Sequence, residues 1–172
     1  MSVRRYRVQA EGRTRPFPPE ALARIEKILA RYPTKQAALL PVLWVAQEAF
    51  GWISQETGEE VARLLGVTPS HVDGVLTFYT MYNLRPPGKH LLQFCTSISC
   101  HLAGAERLIA RCSKRLGVEL EETTADGRFT LTEVECIAGC DRAPSMMIND
   151  AYHEPMDEKK LDEILDRLAA ES

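Results

Sequence analysis

The chain has 172 residues, which suits one large domain or a domain with a smaller appendage. Its 45% hydrophobic content fits a globular chain with a real core, and a formal charge of −3 gives no reason to expect nucleic acid as a partner. No apolar stretch approaches the ~20 residues that span a bilayer, and the first residues lack the apolar region of a secretory signal. A reducing, cytoplasmic compartment and no direct membrane insertion are therefore expected.

Residues 1–16 carry Arg4, Arg5, Arg7, Arg13 and Arg15 against one acid, Glu11. They read as a basic arm that is disordered or lies along a partner; an Arg-rich, acid-poor start also suits a mitochondrial transit segment.

Residues 17–87 read as a helical bundle. Pro18 and Pro19 open a helix with Leu22, Ile25, Ile28 and Leu29 at helical spacing, and Tyr32-Pro33 stops it. Thr34 can cap the next helix, ALLPVLWVAQEAF, which is apolar on nearly every side and ends at Gly51; Pro41 either kinks it or begins it. Ser54 leads a third helix towards Leu65-Gly66. Thr68-Pro69 is an N-cap followed by proline at N1, opening a fourth towards Tyr79.

The Arg85-Pro86-Pro87-Gly88 breaker marks the domain boundary. Residues 88–172 then alternate. A short apolar strand, residues 90–94, ends on Cys95. Residues 100–116 read as one helix with Leu102, Ala105, Leu108, Ile109 and Cys112 inward. Asp126-Gly127 is a hairpin turn, and residues 129–135 alternate as a strand that delivers Cys136. Residues 146–148 are a further strand, Asn149-Asp150 turns into an edge segment around Tyr152, and Leu161, Ile164, Leu165 and Leu168 define a last helix. The order suggests a small sheet covered by helices.

Four of the five cysteines form two pairs, Cys95-x4-Cys100 and Cys136-x3-Cys140, each beginning where a strand ends. If the two strands are neighbours, both loops project at one sheet edge and four thiolates converge. Thiolates are soft ligands that favour zinc, copper or iron–sulfur. A structural zinc site remains open on composition alone. Neither pair is the usual C-x2-C knuckle, and the four-residue gap is closer to the opening of plant-type ferredoxins. Two disulfides suit a reducing compartment poorly. Thr96, Ser97, Ser99 and Gly139 are small or polar, so their backbone N–H groups can turn towards sulfur. Arg142 is either a charge partner or an ordinary surface arginine, His101 reads as solvent-facing, and Cys112 as a buried small hydrophobe.

The stretches CTSISCHLAGAERL, ETTADGRFTLTEVECIAGCDRAPSMMIND and ALLPVLWVAQEAFGWIS resemble the small 2Fe–2S subunit of the NADH-dehydrogenase module of respiratory complex I, from about Ala21 to the C-terminal helix. The resemblance implies an α+β architecture, a helical bundle followed by a thioredoxin-like α/β domain. It implies one 2Fe–2S cluster on Cys95, Cys100, Cys136 and Cys140, with no catalytic residue in this chain. FMN and NADH would bind a partner subunit, alongside further iron–sulfur subunits. The function implied is electron transfer as a subunit of NADH:quinone oxidoreductase, peripheral on the inner membrane face, or in the matrix of a mitochondrion. The sequence agrees in having no G-x-G-x-x-G loop and no P-loop. Close relatives serve NAD-reducing hydrogenases and NAD-dependent formate dehydrogenases; a non-redox zinc scaffold and a free-standing ferredoxin are the rival classes. Ile-Ala-Gly fills the second cysteine gap where the family pattern leads one to expect Leu-Gly-Ala or Leu-Gly-Ser, a change expected to alter only local packing. Thioredoxin-like folds often carry a cis proline, and Ala143-Pro144 stands at the comparable place.

Overall fold

The computed structural model describes residues 8–171. It divides after Pro86 into two compact units.

The first unit is helical: α1 (Pro19–Leu29), α2 (Leu39–Phe50), α3 (Gln55–Leu65) and α4 (Pro69–Phe78). Thr34 accepts the Ala37 N–H in a short 3-10 turn that leads into α2, so Pro41 falls in the first turn of α2 and begins it rather than kinks it. Ser54 caps α3 through the Thr57 N–H, and Thr68 caps α4 through the His71 N–H. Gly51 and Gly66 end α2 and α3 in the left-handed region that glycine adopts at least cost. The apolar run of α2 explains its central place. Val42, Leu43 and Ala46 are wholly buried and share a core with Ile53, Val61 and Leu76, each large side chain contributing about 1.5–3 kcal/mol. Gln47 is buried too, but satisfied: its side chain donates to the Met81 carbonyl and accepts the Asn83 N–H.

The described part of the basic arm is tied to this unit. Gln9 donates to the Leu84 carbonyl and accepts from the Gln55 N–H. The Glu11 and Gly12 N–H groups both reach the Glu56 carboxylate at 2.8 Å. Arg15 pairs with Glu11 at 2.9 Å and lies over the Phe50 ring, 4.8 Å from its centroid. Arg4, Arg5 and Arg7 lie outside the described residues.

The second unit holds a mixed five-stranded sheet in the order β2-β3-β1-β4-β5, formed by β1 (His90–Cys95), β2 (Glu122–Thr123), β3 (Phe129–Val134), β4 (Met146–Ile148) and β5 (Ala151–His153). β1 is central, parallel to β3 and antiparallel to β4. Leu92, Phe94 and Leu131 share one core with Leu108 and Cys112 of α6 (Ala105–Leu116) and with Leu161, Ile164, Leu165 and Leu168 of α7 (Glu158–Ala170). Arg111 and Arg115 of α6 pair with Asp162 of α7. Arg128, after the Gly127 turn, donates to the Ala169 carbonyl near the end of α7 and to the Glu171 carbonyl just beyond it.

The stretch read as one helix over residues 100–116 is two. A short α5 (Ile98–Leu102) ends before Gly104, whose φ of +98° is left-handed, and α6 starts afresh. That left-handed φ is what favours glycine, since the nearest atoms a side chain would meet belong to the movable Arg107 guanidinium. The break turns Leu102 out to 80% exposure, against the inward place expected for it.

Candidate metal centre

Cys95 and Val134 are register partners in the parallel β1–β3 pair. Parallel strands end at the same side of a sheet, so the loops carrying Cys100 and Cys136 emerge together. Cys95 ends β1, and Cys100 lies on α5; both are 1% exposed and pack with Ala105, Ile137 and Ala143. Cys136 and Cys140 are exposed on the neighbouring loop, and all five cysteines are free thiols. The structure thus brings the first pair together and lays the loop of the second pair against it at Ile137. It does not gather all four around one point: among the described residues, no three His, Cys, Asp or Glu side chains form a group that would hold a metal ion. Two cysteines on each of two adjacent loops are a donor set that a two-iron cluster or a single tetrahedral zinc would draw upon.

The sulfurs are held by named donors. The backbone N–H groups of Ser97 and Ile137 point at Cys95, and burial, the larger influence, raises its thiol above the usual range. Burial acts on Cys100 in the same direction. The Ser145 hydroxyl and N–H, together with the Cys95 thiol, outweigh it and hold Cys100 below its ordinary value. The Ala138 N–H donates to Cys136 at 3.3 Å. Of the residues expected to turn N–H groups on sulfur, Ser97 does so; the Thr96 N–H goes instead to the Val134 carbonyl, extending the β1–β3 ladder. Ser145 and Ile137 were not singled out by the sequence. The available signal was position: Ser145 directly precedes β4, the strand that pairs with the cysteine-bearing end of β1.

The second loop is shaped by three features. Ala138 has a φ of +62°, a left-handed backbone in the middle of the Ile-Ala-Gly gap. Alanine thus stands in a conformation that glycine, expected there from the family pattern, adopts at lower cost. Gly139 fits closely, because a Cβ there would lie 2.5 Å from Glu154 Oε2 and 3.0 Å from Ser145 Oγ. Tyr152 donates its hydroxyl to the Ile137 carbonyl at 2.6 Å. Ala143-Pro144 is cis, as is Glu154-Pro155, where the sequence held no such expectation.

The remaining candidates fall outside the site. His101 is half exposed with its Nδ1 3.3 Å from Glu106, and Arg142 is exposed. Cys112 is wholly buried in the sheet–helix core, which pushes its thiol up to about 12. A group held that firmly protonated is a poor metal ligand. The four paired cysteines, with backbone donors aimed at the sulfurs of Cys95, Cys100 and Cys136 and small residues between them, are a soft thiolate set of the kind that accepts iron and sulfide.

A profile of thioredoxin-like 2Fe–2S ferredoxins matches residues 25–169. The chain belongs to the thioredoxin-like 2Fe–2S ferredoxin family.

Relatives of the chain carry respiratory names. The chain is 41% identical over 146 residues to a subunit of the NADH-quinone oxidoreductase of Rhizobium meliloti (strain 1021), covering 85% of this chain and 87% of that one. It is 42% identical to the corresponding NADH-quinone oxidoreductase subunit of Rickettsia conorii (strain ATCC VR-613 / Malish 7), over 83% of this chain and 87% of the relative. It is 41% identical to the mitochondrial NADH dehydrogenase (ubiquinone) flavoprotein 2 of Dictyostelium discoideum, spanning 88% of this chain but 63% of that longer protein. Among solved structures, an NAD+-reducing NiFe hydrogenase in the air-oxidised state aligns with a TM-score of 0.67 at 21% identity, over 77% of this chain and 23% of that one. At that identity the likeness concerns the fold of this ferredoxin, not its assembly. Among the described residues, no helix is long and apolar enough to cross a membrane.

Proposed function

We propose that this ferredoxin is the small electron-transfer subunit of an NADH:quinone oxidoreductase, with Cys95, Cys100, Cys136 and Cys140 holding one 2Fe–2S cluster. The observation that carries the reading is the parallel β1–β3 pair, which sends both cysteine loops out of one sheet edge with Cys95 and Cys100 buried side by side. The relatives sharing about two-fifths of its residues across most of the chain support the complex.

When bound, the cluster supplies one-electron chemistry, the complement of a flavin on a partner subunit that takes a hydride from NADH as two electrons. The chain's own part is to exclude water from Cys95 and Cys100, to aim N–H groups at sulfur and to fix the loop through Gly139 and Tyr152. These are the levers by which a protein sets a cluster's potential.

Exposed apolar side chains beside the site support a partner there. Ile98 and Leu102, one helical turn apart on α5, are 77% and 80% exposed, next to buried Cys100. On the first unit Trp44, Phe78, Tyr79 and Met81 are exposed as well. Large apolar side chains standing in solvent are what a stable interface covers. The partners proposed are the flavin- and NADH-binding subunit and further iron–sulfur subunits. The place is peripheral, on the cytoplasmic or matrix face of the membrane.

The test is anaerobic purification from the native host. About two irons and two acid-labile sulfides per chain are expected, as this cluster type requires, together with a co-purifying flavoprotein. Stoichiometric zinc without iron would overturn the cluster assignment. A hydrogenase assembly is the second reading, since a chain of this fold also occurs in an NAD+-reducing NiFe hydrogenase, although that likeness does not bear on assembly; a nickel-containing companion protein would select it.

A further inference from the structure

Ser145 sits where the two cysteine loops meet, yet it is not a ligand. It is 2% exposed. Its carbonyl accepts the Cys95 N–H at 3.2 Å, and its hydroxyl lies 3.4 Å from Cys100 Sγ. Its Oγ would be 3.0 Å from a Cβ on Gly139, so the second loop packs directly upon it. Neighbouring bonds fix it from both sides. The Pro144 carbonyl accepts the Met156 N–H at 2.8 Å, and Met146 pairs with Phe94 in the sheet. Among the described residues, Cys100 is the hydroxyl's hydrogen-bond partner.

We propose that Ser145 is a positioning residue that raises the reduction potential of the centre by donating its hydroxyl to the Cys100 sulfur.

The direction of donation follows from the chemistry of the site. A cysteine that ligates iron has lost its proton, so between Sγ and Oγ only the serine has a hydrogen to give. One added electron raises the negative charge on the ligating sulfurs, and a charge-assisted hydrogen bond is stronger than a neutral one. The bond therefore favours the reduced state more than the oxidised one, and its removal moves the potential down. The seat is buried, so water does not readily replace a lost hydroxyl. The neighbouring Ser99, which is exposed and makes no side-chain bond to sulfur among the described residues, has no such effect.

This inference rests on the cluster assignment above, and the experiment separates the two. The full chain, its Ser145→Ala variant and its Ser99→Ala variant are compared by iron and sulfide content and by a potentiometric titration followed by electron paramagnetic resonance. Absence of an iron–sulfur signal in the unaltered chain defeats the cluster assignment itself. With the cluster present, Ser145→Ala is expected to load normally and to show a reduced-to-oxidised ratio roughly 3- to 10-fold lower at a fixed ambient potential. That corresponds to about 30–60 mV at 59 mV per decade for one electron. Ser99→Ala is expected to titrate with the unaltered chain. A Ser145→Ala midpoint equal to that of the unaltered chain overturns the proposal. So does a variant that takes up no iron, because the hydroxyl would then build the site rather than tune it.

Discussion

Cys100 and Ser145, forty-five positions apart in sequence, meet as sulfur and hydroxyl inside the second unit with no solvent between them. The contact joins the short helix after β1 to the segment before β4, and so ties the first cysteine loop to the strand beside the second.

The ligand assignment separates the cysteines sharply. Cys136→Ser exchanges a soft thiolate for a hard oxygen at an exposed position, and is expected to weaken or alter the visible and paramagnetic spectrum. Cys112→Ala removes a wholly buried sulfur from the sheet–helix core and is expected to leave the spectrum unchanged, at a cost on the order of 1 kcal/mol. Loss of the cluster from the Cys112 variant would show the assignment to be wrong.

Ala138→Gly tests the left-handed loop. A non-glycine residue at φ +62° costs roughly 1–2 kcal/mol, of which glycine returns about 0.5–1 kcal/mol through its own entropy. A net gain of roughly 0.5–1 kcal/mol is expected, or some 2–8 °C in the unfolding temperature of a unit of this size. Bleaching of the visible cluster absorption on heating reads the second unit selectively. An unchanged or lower midpoint would mean that the alanine carries no strain.

Glu56 gives the first unit a defined acid response. Its carboxylate accepts the Glu11 and Gly12 N–H groups; the Glu11 bond foremost, then its own backbone N–H, with smaller help from Gly12 and the Ser54 hydroxyl, hold it at about 2 against an ordinary 4.5. A depressed carboxylate contributes fully above its unfolded value and loses that contribution as pH falls towards its folded one. Residues 8–12 are therefore expected to come loose between about pH 4.5 and 2, with faster amide exchange at Glu11 and Gly12. Glu56→Gln should show that faster exchange already at about pH 7, where the carboxylate is fully ionised. Equal protection in both proteins at neutral pH would mean that the carboxylate does not hold the arm. Deleting residues 1–16 also removes these bonds and Arg15, so loss of a partner on that deletion would not by itself place the partner on the arm.

Replacing Ile98 and Leu102 together by serine is expected to weaken retention of the flavoprotein by tenfold or more while leaving the cluster spectrum intact, since both side chains stand in solvent. Co-purification at matched salt is the measurement. Full retention by the variant would remove α5 from the interface.

Much of the architecture could be read from local chemistry. Ser54, Thr68, Gly51 and Gly66 announce helix ends because caps and left-handed glycines answer to the backbone immediately around them. The four leucine and isoleucine positions of α7 all proved buried, since amphipathic spacing reports directly on a single covered face. The break at Gly104 was missed because apolar residues recur at helical spacing on both sides of it, and the left-handed backbone that makes the turn leaves no mark in that spacing. The paired cysteines stood out by spacing, but Ser145 did not. Its role depends on β4 pairing with β1, a long-range contact that leaves no local mark.

The central place of β1 bears on speed as well as on shape. Hydrogen-bonded on both edges, to β3 and to β4, it can shift only by disturbing two ladders at once, and core strands are the last parts of a fold to open. Cys95 is anchored at the end of this strand, with the Ser97 and Ile137 dipoles already turned towards its sulfur. If the proposed cluster sits there, a change of charge finds its solvation prepared in advance, and little of the surrounding matter has to rearrange for an electron to pass.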